Sequence, residues 1–241
     1  MLLRILKGPV HLRGAGARMP FFENIAPRFV SAARLERMRQ VLAGRTRYVV
    51  PVFENLYKTH NAAAVIRTAE AFGVAQAHFV EGETEYEDHR DITQGSHRWV
   101  DIRTHPSTEA CFAALRHEGY RIVGTCLHER AVTPESIPLD RPLALVFGNE
   151  LEGMSGEAIR ACDLLVRIPM YGFVESLNIS VSAALLLSGL LTRIRATPEL
   201  AWPLGPAERR KTLQRWLYHN TRIGTIVTAA RKGGTILRTE G

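Results

Sequence analysis

Three stretches of the chain carry polar side chains in patterns that packing alone does not require. The first is ENLYKTHNAAAVIRTAEAFGV, Glu54 to Val74. Asn61 reads there as the N-cap of a helix that runs to Phe72, with Gly73 as its stop. Val65, Ile66, Ala69 and Phe72 form the apolar side of that helix, and Arg67 projects away from it, roughly one and a half turns beyond the cap. A guanidinium so placed can meet a ligand. The second stretch is LALVFGNELEGMS, Leu143 to Ser155. It reads as a buried strand ending at Gly148, then polar Asn149 and Glu150, then Gly153, with Ser155 as cap of a following helix. The third is VRIPMYGFVESLNISVSAALLL, Val166 to Leu187. A strand passes through Pro169 and Gly172 into a loop bearing Ser176 and Asn178, the latter a natural N-cap for a helix rich in small residues. Singly, each stretch also reads as an ordinary capped turn with a solvated charge.

Strands and helices must hold these loops. Ser31 to Leu42 has helical spacing, with Leu35, Met38, Val41 and Leu42 on one side. RYVVPVF, Arg47 to Phe53, reads as the first strand, and Pro51 points to a place near a sheet edge. Further strands are expected at Ala77–Val80, Trp99–Arg103, Arg121–Thr125, Leu143–Phe147 and Leu164–Ile168. Helices are expected at Thr108–Glu118, Gly156–Cys162, Asn178–Arg195 and Ala207–His219. Apolar strands alternating with helices predict an α/β fold with a mostly parallel sheet covered on both faces. In such sheets ligands sit beyond the carboxyl ends of the strands, which is where Gly148 falls, and glycine lets backbone come close to a ligand.

Several chemistries lack their motifs. The chain has no GxxxxGK[ST] run, no GxGxxG opening a helix after the first strand, no HExxH spacing among its nine histidines and no GxSxG elbow. Metal binding is therefore not expected. Cys111, Cys126 and Cys162 are odd in number and lack CxxC spacing, as expected of reduced structural thiols in the cytoplasm. The most apolar stretch, Ile179 to Leu191, is too short to span a membrane and is broken by serines and Gly189. The first residues make a poor secretory signal; they read either as a tail or as translation upstream of Met19.

Charge is distributed unevenly across 241 residues with a net of +7. Residues 1–48 hold ten Lys and Arg against two acids, residues 193–241 ten against three, and residues 49–192 eleven against nineteen. All the net positive charge lies in the two ends, and clustered Lys and Arg are rewarded by polyanions through counterion release. Three parts are expected: a basic N-terminal extension with a helix (1–48), a catalytic domain (49–195), and a basic C-terminal helix and tail (196–241).

Together and in this order, ENLYKTHNAAAVIRT, FGNELEGMS and IPMYGFVESLNISVSAAL resemble the SpoU/TrmH family of SPOUT-class RNA 2′-O-ribose methyltransferases. The resemblance runs from about residue 28 to 220. It includes GSHRW (Gly95–Trp99) and RWLYH (Arg215–His219), which are similar to the branch that modifies guanosine 18 in the tRNA D-loop. It implies a deep trefoil knot in the C-terminal part of the sheet domain, S-adenosylmethionine as methyl donor, tRNA as partner and a homodimer that completes the site. By position, Asn61, Arg67, Glu150, Ser176 and Asn178 match the family's catalytic set. Thr125, Cys126, Leu127, Gly148, Ile168, Met170, Ser176 and Leu177 match its cofactor-binding positions. Thr59 stands where the family often has proline. Arg67 would either accept the ribose proton or orient hydroxyl and phosphate. A guanidinium normally stays protonated, so both roles stay open. The alternatives are the same chemistry on rRNA, and an RNA-binding protein without catalysis; only about 48 residues precede the core, which favours tRNA.

Overall fold

The computed structural model describes residues 30–55, 59–80, 98–149, 152–174 and 176–220. Glu150, the first three residues of GSHRW and the outer parts of both basic ends lie outside the described residues. The chain divides into two compact units, residues 39–216 and residues 1–38 with 217–241.

Helix α1 (Ala32–Ala43) leads to β1 (Val49–Glu54), α2 (Thr59–Ala71), β2 (Gln76–Val80) and β3 (Asp101–His105). There follow α3 (Thr108–His117), β4 (Arg121–Thr125), a single 3₁₀ turn (Pro134–Ser136) and β5 (Leu143–Phe147). The chain continues through α4 (Gly156–Ala161), β6 (Leu164–Val166), α5 (Ile179–Arg195) and α6 (Pro206–Asn220). The sheet is six-stranded in the order β3-β2-β1-β5-β4-β6, and every pairing in it is parallel.

Both faces of this sheet are covered, as the fully buried strands require. On one face Val49, Phe53, Leu143 and Leu145 pack with Val65, Ile66 and Ala69 of α2 and with Leu186, Leu187 and Leu190 of α5. On the other, Val50, Val52, Ala144 and Val146 pack with Cys111, Phe112 and Leu115 of α3 and Ala158 of α4. Successive residues of β1 and β5 thus alternate between two cores, the period of two inherent in a strand.

Two local expectations are corrected. Pro51 is not near an edge: β1 lies third of six strands, between β2 and β5. Pro51 pairs with Leu145 on the β5 side, while register with β2 begins one residue later at Val52. The missing N–H therefore falls where only one neighbour is in register. Asn61 is not an N-cap either, because α2 starts two residues earlier at Thr59, which draws Asn61 into the first turn and buries it. Gly73 does end the helix: it takes φ +83°, and Val74 N–H donates to Ala69 O at 2.8 Å.

In the smaller unit, Ser31 Oγ accepts from Arg34 N–H at 3.3 Å near the start of α1, and the Tyr218 and His219 rings meet edge to face. No helix among the described residues is long and apolar enough to cross a membrane.

Candidate active site

All six strands run the same way, so their carboxyl ends open on one edge of the sheet. A cleft of about 750 Å³ lies there. Three strand exits build its floor: Thr125, Cys126 and Leu127 after β4; Gly148 and Asn149 after β5; Ile168 and Met170 after β6. Hydrogen bonds to main-chain carbonyls lock the exits together. Cys126 N–H donates to Val166 O at 3.1 Å, and Thr125 Oγ1 donates to Val146 O at 2.8 Å. Ser176 and Leu177 close the cleft from the loop that enters α5.

Asn178 caps α5, its Oδ1 accepting from Ser180 N–H at 2.8 Å and from Ser180 Oγ at 2.6 Å. With the acceptor end so engaged, its amide nitrogen faces Asn61 Oδ1 at 3.5 Å. The buried Asn61 and the capping Asn178 therefore form one polar wall, although 117 residues separate them in sequence.

The loop after β5 is tightly folded on itself. Asn149 N–H donates to Gly153 O at 3.0 Å, Gly153 N–H returns a bond to Asn149 O at 3.1 Å, and Asn149 Oδ1 accepts from Glu152 N–H at 2.6 Å. Gly153 takes φ +73°, a backbone shape that glycine adopts without penalty. A Cβ on Gly148 would lie 2.1 Å from Gly153 C and Met154 N.

All eight residues assigned to the cofactor line this one cleft, and Asn61 and Asn178 line it with them. Arg67 does not. It is exposed on α2, on a different face from Asn61, and is absent from the lining of its own chain's cleft.

A profile of the SpoU rRNA Methylase family matches residues 48–188, more than half of the chain. The chain belongs to the SpoU methylase family. Over 185 residues it is 34% identical to the tRNA (guanosine(18)-2'-O)-methyltransferase of Borreliella burgdorferi, covering 77% of this chain and 84% of that one. Among solved structures, the TrmH/SpoU tRNA modifying enzyme of A. aeolicus superposes with a TM-score of 0.70 at 32% identity, over 78% of this chain and 96% of that one. An AdoMet-bound rRNA methyltransferase from Sinorhizobium meliloti gives a TM-score of 0.54 at 25% identity, over 65% of this chain and 60% of that one.

This SpoU methylase adds lining residues that sequence reasoning left out, among them His128, Glu152, Met154 and Arg167. Each follows a strand end by only a few residues, and that position was the available signal. Away from the cleft, β2, β3 and α3 bring His78, His105 and Cys111 together, with ligand-type atoms within 4.8 Å of one another. Gln76 Nε2 donates to His78 Nε2 at 2.9 Å, which leaves the ring proton on Nδ1 for His105 Nε2, 2.9 Å away. Burial, then the neighbouring His105, push His78 down to about 3. Burial pushes the Cys111 thiol up to about 12. Both groups are held neutral.

Proposed function

We propose that this chain transfers a methyl group from S-adenosylmethionine to the ribose 2′-hydroxyl of guanosine 18 in the D-loop of tRNA. The observation that carries the reading is the convergence of all eight expected cofactor residues on one cleft beside Asn61 and Asn178. The cleft fits a molecule of that size, since small-molecule sites span about 300–1,000 Å³. Gly148 offers bare backbone at its centre, and the exits of β4, β5 and β6 mix main-chain polar groups with Leu127, Ile168 and Met170.

Bound there, S-adenosylmethionine supplies an electrophilic methyl group on a positively charged sulfur. The chain's own contribution is orientation, because an in-line displacement gains much of its acceleration from geometry. Asn61 and Asn178 fix the wall against which the ribose lies, and Ser176 lies on the α5 side of the opening. Arg67 steers the 2′-hydroxyl and an adjacent phosphate, or takes the hydroxyl proton. Glu150 completes the set.

A homodimer brings the two parts together, with Arg67 of one protomer serving the cleft of its partner. Exposed apolar side chains support it: Tyr171, Phe173 and Val174 lie beyond β6, and Val181 and Leu185 lie on α5. Exposed large apolar side chains on two successive segments suit a surface that another chain covers. The C-terminal part of the domain, from the β4 exit to α5, forms the trefoil knot. The chain divides into a basic extension (1–48), the catalytic domain (49–195) and a basic helix and tail (196–241), and it acts in the cytoplasm. Neither membrane nor metal takes part.

GSHRW and RWLYH, the stretches similar to the guanosine-18 branch, favour tRNA over rRNA. Labelled methyl transfer to tRNA and rRNA transcripts side by side tests the choice. Incorporation into tRNA alone supports it; incorporation into rRNA alone overturns it.

A further inference from the structure

Glu54, the first residue of the first motif, has no part in the scheme above. It is the last residue of β1 and only 2% exposed. A buried carboxylate is costly unless hydrogen bonds replace its water, and this one has three. Oε2 accepts from Ser155 N–H at 3.0 Å; Oε1 accepts from Ser155 Oγ at 2.7 Å and from Thr108 Oγ1 at 2.9 Å. Ser155 closes the loop that begins at Gly148 and caps α4 by accepting from Ala158 N–H at 3.0 Å. Thr108 opens α3. One carboxylate thus ties the end of a central strand to the far end of the loop lining the cleft and to a helix on the sheet's second face. The next residue, Asn55, takes φ 50°.

We infer that Glu54 is a positioning residue for the methyl-donor pocket, a clamp that holds residues 152–155, beside the cleft, in place over the sheet. The Gly148 end of the loop follows β5, and the Ser155 end is held by both oxygens of Glu54. A carboxylate accepts all three bonds at once, two of them from hydroxyls. An amide would either set its NH2 against the Ser155 N–H or need both hydroxyls to turn and accept, and it would lose the charge that strengthens each bond. Glu54 touches no reacting atom; it acts through Gly148, Asn149, Gly153 and Met154, all of which line the cleft.

The inference rests on the methyl-donor reading of the cleft, and the test separates the two. Full-length wild type, Glu54→Gln, Ser155→Ala and the double variant are titrated with S-adenosylmethionine by calorimetry, then assayed for methyl transfer to tRNA. Glu54→Gln raises the cofactor Kd and KM about tenfold, while the tRNA Kd and the kcat at saturating cofactor stay within about twofold. The double variant is weaker than wild type by less than the two single effects combined, because both substitutions break the Ser155 Oγ bond to Glu54. An unchanged cofactor Kd in folded Glu54→Gln, or additive effects in the double variant, overturns the clamp. Should Glu54→Gln not fold, Thr108→Val removes one arm alone; it raises the cofactor Kd two- to fivefold, and no change overturns the proposal. If wild type binds no S-adenosylmethionine, the reading of the cleft fails. The clamp is then judged by amide exchange: faster exchange at Ser155 in Glu54→Gln supports it, and an unaltered rate contradicts it.

Discussion

Adding one methyl group at Gly148 drives a carbon to 2.1 Å from Gly153 C, so the loop after β5 must move. Gly148→Ala is expected to weaken S-adenosylmethionine binding by at least about 100-fold, roughly 2.7 kcal/mol, with the fold retained; calorimetry beside thermal melting checks this. Arg67 predicts the opposite pattern. It is absent from the cleft of its own chain, so Arg67→Ala should leave cofactor affinity within about twofold. Turnover should fall by about 10²–10⁴, the range for a positioned proton-transfer or charge-stabilising group, as single-turnover kinetics would show. The strand-end glycine and the capping Asn178 were legible in the sequence because turns and caps obey local rules. The place of Asn61 was misread because its role depends on where α2 begins, and Thr59 starts it sooner. Glu54 gave no local signal, since its three donors come from residues 54 and 101 positions away.

Elements were more readable than residues. β4 and β5 run as the apolar periodicity predicts, because strands buried on both faces need uninterrupted apolar side chains. Strand order was not readable: pairing β1 with β5 joins segments nearly a hundred residues apart, and Pro51 suggested an edge where the sheet has a centre. The expected strand at Trp99 begins at Asp101 instead. Trp99 packs edge to face on Trp216 and accepts its indole N–H at the main chain. The Gln76–His78–His105 relay between β2 and β3 carries a pH prediction. His78 is held near 3 when folded, against an ordinary value near 6.5, so unfolding takes up a proton between those values. Its contribution is complete above about pH 6.5 and is lost as pH falls towards 3, by about 1.4 kcal/mol per pH unit. His78→Asn should flatten that slope in urea titrations from pH 7 to 4. An identical slope would mean that His78 is not the group responsible.

At the scale of the whole molecule, the basic excess and the cleft occupy different parts of the chain. Residues 49–192 are net acidic, while the ends carry the excess of Lys and Arg. If the ends hold the RNA, deleting residues 221–241, with four basic residues and one acid, should weaken tRNA binding. The slope of log K against log salt should become shallower by about 0.7–0.9 for each phosphate that is no longer neutralised. Filter binding across salt concentrations measures it, and an unaltered slope would make that end a bystander. Cofactor affinity should not change, because the cleft lies within residues 39–216. The family was legible at this scale because three motifs occurred in order. Their convergence was not, since it depends on strand order.

The central claim concerns one oxygen atom, and its most direct test uses two tRNA transcripts that differ only there. One carries guanosine at position 18 and the other 2′-deoxyguanosine. Each is incubated with the full-length protein and S-adenosylmethionine, digested, and mapped by mass spectrometry. The account predicts one added methyl group on the ribose of guanosine 18 in the first transcript and none anywhere in the second. Equal methylation of both transcripts, or a methyl group found on a base, would contradict it.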